Sequence, residues 1–133
     1  TLITYSMGAA MGLKLLHHNP DVFERAVLIE PVWRCWLPFV VSHPRSLSQV
    51  PTLALYGTHD SLTRDDSGKS VLGSLRAFLP HLEVVAIQGG NHWGILNGDL
   101  PIARQDLAVE MTASQVKTNI VAEITRFCEW DIS

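Results

Sequence analysis

The 133-residue chain is 47% hydrophobic and 17% charged, which suits one globular domain with a single sizeable core and excludes a disordered polypeptide. A net charge of −3 without any lysine or arginine run gives a nucleic-acid partner no electrostatic support. The longest apolar runs, such as Val50 to Tyr56, are strand-sized and too short to span a bilayer.

The chain opens on Leu2 to Tyr5, a β-branched and aromatic run that reads as the end of a strand. From Met7 to His18 the residues are good helix formers, with Leu13, Leu16 and His17 at helical spacing, and Asn19-Pro20 stops the helix. Ala26 to Ile29 is a continuous apolar run, as in a parallel strand buried on both faces. Between Pro31 and Val50 an aromatic-rich stretch with Trp33, Trp36 and Phe39 is interrupted by Pro31, Pro38 and Pro44, and irregular structure is expected. Its length allows one crossover helix and little more. Thr52 to Tyr56, closed by Gly57, is the next buried strand.

Ser67 to Leu79 predicts a helix with Val71, Leu72, Leu75, Phe78 and Leu79 as its apolar stripe, closed by Pro80. Leu82 to Ile87 is a further strand, followed by the glycine-flanked loop QGGNHWG. Thr112 to Gln115 reads as a capping box that opens a last helix with Val116, Ile120, Ile124 and Phe127 on one face. Cys35 and Cys128 form neither a C-x-x-C pair nor a metal spacing, and free buried thiols are expected. No metal site and no signal or transit segment is legible, and a cytoplasmic location is the expectation.

Strands alternating with helices predict an α/β architecture, a parallel sheet of about four strands flanked by helices. In open parallel sheets, sites gather at the carboxyl ends of the strands. Ser6, Glu30, Asp60 and His92 each follow a strand. A serine hydroxyl needs a base to become a nucleophile, histidine is the base poised near neutral pH, and a carboxylate fixes the histidine tautomer. Ser6 lies where a strand turns at once into a helix, with Gly8, Ala9, Ala10 and Gly12 keeping that junction small. The Met7 amide, at the helix N-terminus, would be the oxyanion donor. Read singly, Ser6 is equally a helix cap, Asp60 a turn residue and His92 a loop histidine.

Together, the stretches YSMGAAMG, PTLALYGTHD and VVAIQGGNHWG resemble the elbow, acid strand and histidine loop of the C-terminal half of an α/β-hydrolase-fold protein. The resemblance covers essentially the whole chain. It implies Ser6 as nucleophile, Asp60 as acid and His92 as base, in the family's chain order. Thr4 departs from the pattern, standing where the elbow's first glycine would be. Glu30 is an alternative acid, because some members place the acid after that strand. Residues 31–50 fall where members insert a cap, leaving room for only a short crossover or lid. Trp33, Trp36 and Trp93 could line a substrate pocket, or Trp33 and Trp36 could simply cover the sheet.

The resemblance implies a serine hydrolase acting on a small-molecule ester, thioester or amide, with no cofactor. Other chemistry on the same triad, or a non-catalytic binding or scaffold member of the fold, are the alternatives. The family's nucleophile strand is central in its sheet, whereas here it would be an edge. Residues 1–133 are therefore expected to be the C-terminal part of a single hydrolase domain. Alone, they are expected to be insoluble or molten and without esterase activity.

Overall fold

Four short apolar segments pair into one parallel sheet: β1 (Leu2–Tyr5), β2 (Ala26–Ile29), β3 (Thr52–Gly57) and β4 (Leu82–Ile87), in the spatial order β1-β2-β3-β4. The computed structural model describes residues 1–42, 48–63, 71–90 and 113–129. Tyr5 pairs in register with Ile29, and Ile29 with Leu55, so the first three strands end nearly level. The strands are joined by α1 (Gly8–His18), α2 (Trp33–Ser42) and a 3₁₀ helix at Leu72–Ala77, and α3 (Ala113–Cys128) closes the chain.

A sheet that adds each new strand on the same side through right-handed crossovers must carry its connections on one face. The packing follows that rule. Ala26, Leu28 and Ala54 meet Leu13 and Leu16 of α1, Trp36 and Phe39 of α2, and Leu72 and Leu75 of the 3₁₀ helix. On the other face Val27, Ile29, Leu53 and Leu55 meet Val116, Ile120 and Ile124 of α3. Because both faces are covered, β2 is buried at all four positions, which is why it reads as an unbroken apolar run. Leu13 and Leu16 are fully buried, each worth about 1.5–3 kcal/mol by transfer from water.

Two helices sharpen the sequence expectation, which was irregular structure with room for one crossover helix over 31–50 and a helix over 67–79. The proline-interrupted stretch after β2 contains a ten-residue helix, α2, with Pro38 inside it. Burial of Trp36 and Phe39 against the sheet outweighs the local penalty of that proline. Within the described part of 67–79, the helix is 3₁₀ rather than α. Leu72, Leu75 and Phe78 recur every three residues, and the Ser74 and Phe78 amides bond three residues back, to Val71 and Leu75. The cap residue expected at Thr112 lies outside the described residues.

Polar ties fix α3 to the sheet. Arg126 binds Glu83 of β4 and Glu123 of its own helix, which raises the guanidinium pKa, mainly through the hydrogen bond to Glu83. Arg25, just before β2, donates to the Cys128 carbonyl at 3.2 Å. Cys35 and Cys128 are free thiols, Cys128 buried and Cys35 half-buried. Among the described residues no helix is long and apolar enough to cross a membrane.

Candidate active site

The carboxyl edge of the sheet brings Ser6, Glu30 and Asp60 to the ends of three adjacent strands. Ser6 takes φ 56°, in the left-handed region that a residue with a Cβ enters at a cost of about 1–2 kcal/mol. Such strain persists where the surroundings enforce it. Here the Ser6 amide donates to the Ile29 carbonyl at 2.9 Å, while the Ser6 carbonyl accepts from Ala9 at 3.2 Å and Val32 at 3.4 Å. The residue is thus gripped by the exits of β1 and β2 and by the first turn of α1. Met7, rather than Ser6, occupies the N-cap position of α1, and its side chain makes no capping hydrogen bond.

The tightness of this junction explains its small residues. A Cβ added to Gly12 would lie 2.6 Å from Thr4 Cγ2, inside any tolerable contact, whereas one added to Gly8 would stand 3.8 Å from Thr4 Cβ. Thr4 therefore fits at the β1–α1 junction because Gly12 has no Cβ to meet it. Its hydroxyl is buried without a hydrogen-bond partner among the described residues.

Asp60 is fully buried in the turn after β3. Its amide donates to the Gly57 carbonyl at 2.9 Å, its Oδ1 accepts from the Leu62 amide at 2.8 Å, and its carbonyl accepts from Thr63 Oγ1 at 3.1 Å. The Leu62 bond anchors the carboxylate, and the other two fix the backbone of the turn. The same turn is stitched to the exit of β4. Thr58 donates to the Ile87 carbonyl at 3.1 Å, His59 donates to the Gly90 carbonyl at 2.8 Å, and the Gly89 amide donates to Thr58 Oγ1 at 2.8 Å. Gly89 has φ 74°, and a Cβ on Gly90 would touch Ile87 at 3.4 Å, an ordinary contact distance. Gly89 thus lets the β4 exit fold against the Asp60 turn. His92 and Trp93, two and three residues further on, lie outside the described residues.

Glu30, at the end of β2, is 1% exposed with φ 46°, and its amide donates to the Leu55 carbonyl at 2.6 Å. Trp36 is fully buried in the core beneath α2, while Trp33 is half-exposed with the Arg34 guanidinium stacked 4.5 Å from its ring centre. Sequence reasoning did not identify the Thr58 and His59 bonds or the Val32 bond to Ser6. Backbone hydrogen bonding leaves no residue-type signature. Among the described residues no group of three or more His, Cys, Asp or Glu side chains could hold a metal ion. A hollow of about 520 Å³ borders Ser114, Lys117, Thr118, Val121 and Ala122 of α3, none of them a strand-end residue. The strained serine and buried carboxylates, not that hollow, mark the candidate site.

No protein-family model matches the chain, and no curated protein does. Among solved structures, the chain is similar to a predicted CIB-like hydrolase from Thermoplasma acidophilum, with a TM-score of 0.58 at 12% identity. The similarity covers 93% of this chain and 49% of that one, so the chain spans about half the length of its structural neighbour. At that identity the likeness speaks for architecture alone: the chain shares with that hydrolase an α/β arrangement of parallel strands flanked by helices.

Proposed function

We propose that the protein is a serine hydrolase acting on a carboxylic ester, thioester or amide. Ser6 attacks the carbonyl carbon, and His92 accepts the hydroxyl proton and returns it to the leaving group. Asp60 orients the imidazole and stabilises its protonated form. The Met7 amide, at the N-terminus of α1, donates to the oxyanion of the tetrahedral intermediate. Water then releases the acyl group from Ser6. The residues belong to one domain, in which 31–50 cross between strands.

The observation that carries this reading is the left-handed Ser6 at the β1–α1 junction, φ 56°, held by hydrogen bonds from two directions. A serine serving only as a cap needs no such backbone. The Asp60 turn, bonded to Gly89 and Gly90, supports an acid beside the segment that leads to His92. Labelling the full-length protein with a fluorophosphonate probe tests the assignment. Covalent labelling is expected in wild type and lost in Ser6→Ala and His92→Ala. A folded wild-type protein that takes no label would point instead to a binding module on the same fold.

A further inference from the structure

We infer that Thr58 is a positioning residue: its hydroxyl fastens the exit of β4 to the turn that carries Asp60, and so fixes where that carboxylate stands. The inference rests on the serine-hydrolase reading, with Asp60 as the acid, and deepens it.

The ladder between β3 and β4 ends in register at Gly57 and Ile87. Past that pair both segments leave the sheet, one into the Asp60 turn and the other into Gln88-Gly89-Gly90, yet hydrogen bonds go on joining them. The Thr58 amide donates to the Ile87 carbonyl at 3.1 Å, and the His59 amide donates to the Gly90 carbonyl at 2.8 Å. Those are backbone bonds, open to any residue but proline at 58 and 59. The bond from the Gly89 amide to Thr58 Oγ1, at 2.8 Å, is of another kind. It needs a side-chain acceptor on a short stem, which threonine and serine provide and valine, of nearly the same shape as threonine, does not.

Gly89 explains why an acceptor is needed there. It is buried, and at φ 74° its backbone has left the strand conformation. A buried amide that leaves a ladder is costly unless another partner takes it. The Thr58 hydroxyl is that partner.

The bonds that Asp60 makes within its own turn shape the turn without placing it. Its Oδ1 accepts from the Leu62 amide, its amide donates to the Gly57 carbonyl, and its carbonyl accepts from Thr63 Oγ1. All of these lie within 57–63. The Thr58 and His59 bonds are what set the turn against the β4 exit. Without the hydroxyl the turn keeps its internal shape but is free to shift, and a misplacement of about 1 Å at an acid can cost about a hundredfold in rate.

Steady-state kinetics of the full-length protein on a p-nitrophenyl ester, together with amide hydrogen exchange, test this. Thr58→Val is expected to lower kcat about ten- to a hundredfold at little change in KM. Thr58→Ser keeps the hydroxyl and should restore kcat to within about threefold of wild type. In an Asp60→Asn background, Thr58→Val should cost less than about threefold further, because a carboxylate that is gone cannot be misplaced. The Gly89 amide should exchange slowly in wild type and in Thr58→Ser, and fast in Thr58→Val. Should Thr58→Val fail to fold, Thr58→Ala removes the same acceptor and carries the same expectations. Wild-type kcat without the hydroxyl, an equal loss in Thr58→Ser, or an undiminished loss in the Asp60→Asn background overturns the inference. So does a Gly89 amide that exchanges without protection in the wild-type protein. A wild-type protein with a protected Gly89 amide that neither turns over ester nor takes fluorophosphonate overturns the hydrolase reading, and with it the role given to Thr58.

Discussion

Ser6 carries a backbone angle that a serine serving only as a helix cap does not need. At φ 56° its Cβ stands close to the following carbonyl, and only the surrounding hydrogen bonds keep it there. Glycine carries no such penalty. Ser6→Gly is therefore expected to raise stability by about 1 kcal/mol, with Ser6→Ala near neutral. Urea unfolding at constant m-value measures both, and a Ser6→Gly protein less stable than Ser6→Ala would show that the site is unstrained. The sequence could name Ser6 as a candidate because a lone serine follows an apolar run. It could not reveal the angle, which the Ile29, Ala9 and Val32 bonds impose from outside the motif.

Within elements, the β1–α1 contact is where local sequence and packing depend most on each other. Thr4 Cγ2 fills the space that a Cβ at Gly12 would need. Gly12→Ala should cost about 1–3 kcal/mol by overpacking, despite the better helix propensity of alanine. In a Thr4→Ala background, which also removes a buried hydroxyl lacking a partner among the described residues, most of that cost should vanish. A double-mutant cycle with a coupling below about 0.5 kcal/mol would mean that the two residues do not press on each other. α2 teaches the complementary lesson. Pro38 argued against a helix, yet Trp36 and Phe39 bury against the sheet and hold one. The 3₁₀ helix at Leu72–Ala77 was legible as an apolar segment but not in its pitch, since Leu72 and Leu75 fit either period over so short a span.

For the molecule as a whole, the two faces of the sheet are unequally covered at β1. Ile3 of β1 is 46% exposed, and Met11 of α1 is 60% exposed. β1 pairs with β2 alone among the described strands, which leaves backbone groups along its other side outside the ladder. The 133-residue chain by itself is therefore expected to self-associate, and Ile3→Lys with Met11→Lys should shift it toward monomer. Sedimentation velocity at several concentrations measures this, and a wild-type chain that stays monomeric at all of them would show that the edge is already blunted. The ion pair that joins α3 to β4, Arg126–Glu83, is solvent-exposed, and apolar burial of Val116, Ile120 and Ile124 contributes most to holding that helix to the sheet.

The sequence by itself determined the strand–helix alternation, the parallel sheet and the residue types at the strand ends, because those follow from apolar periodicity and from glycine and proline placement. It also paired Ser6 with two competing carboxylates. Only the tertiary structure decided that Ser6 and Glu30 both adopt left-handed backbone, that Asp60 is buried and anchored by Leu62, and that Gly89 and Gly90 bind the β4 exit to the Asp60 turn. The physical reason is the range of the interactions. Periodicity and turn propensity act over a few neighbouring residues, whereas the left-handed backbones and the bonds to the β4 exit involve contacts between strand ends from 23 (Ser6 to Ile29) to 31 (Thr58 to Gly89) residues apart, which the sheet must assemble before they exist.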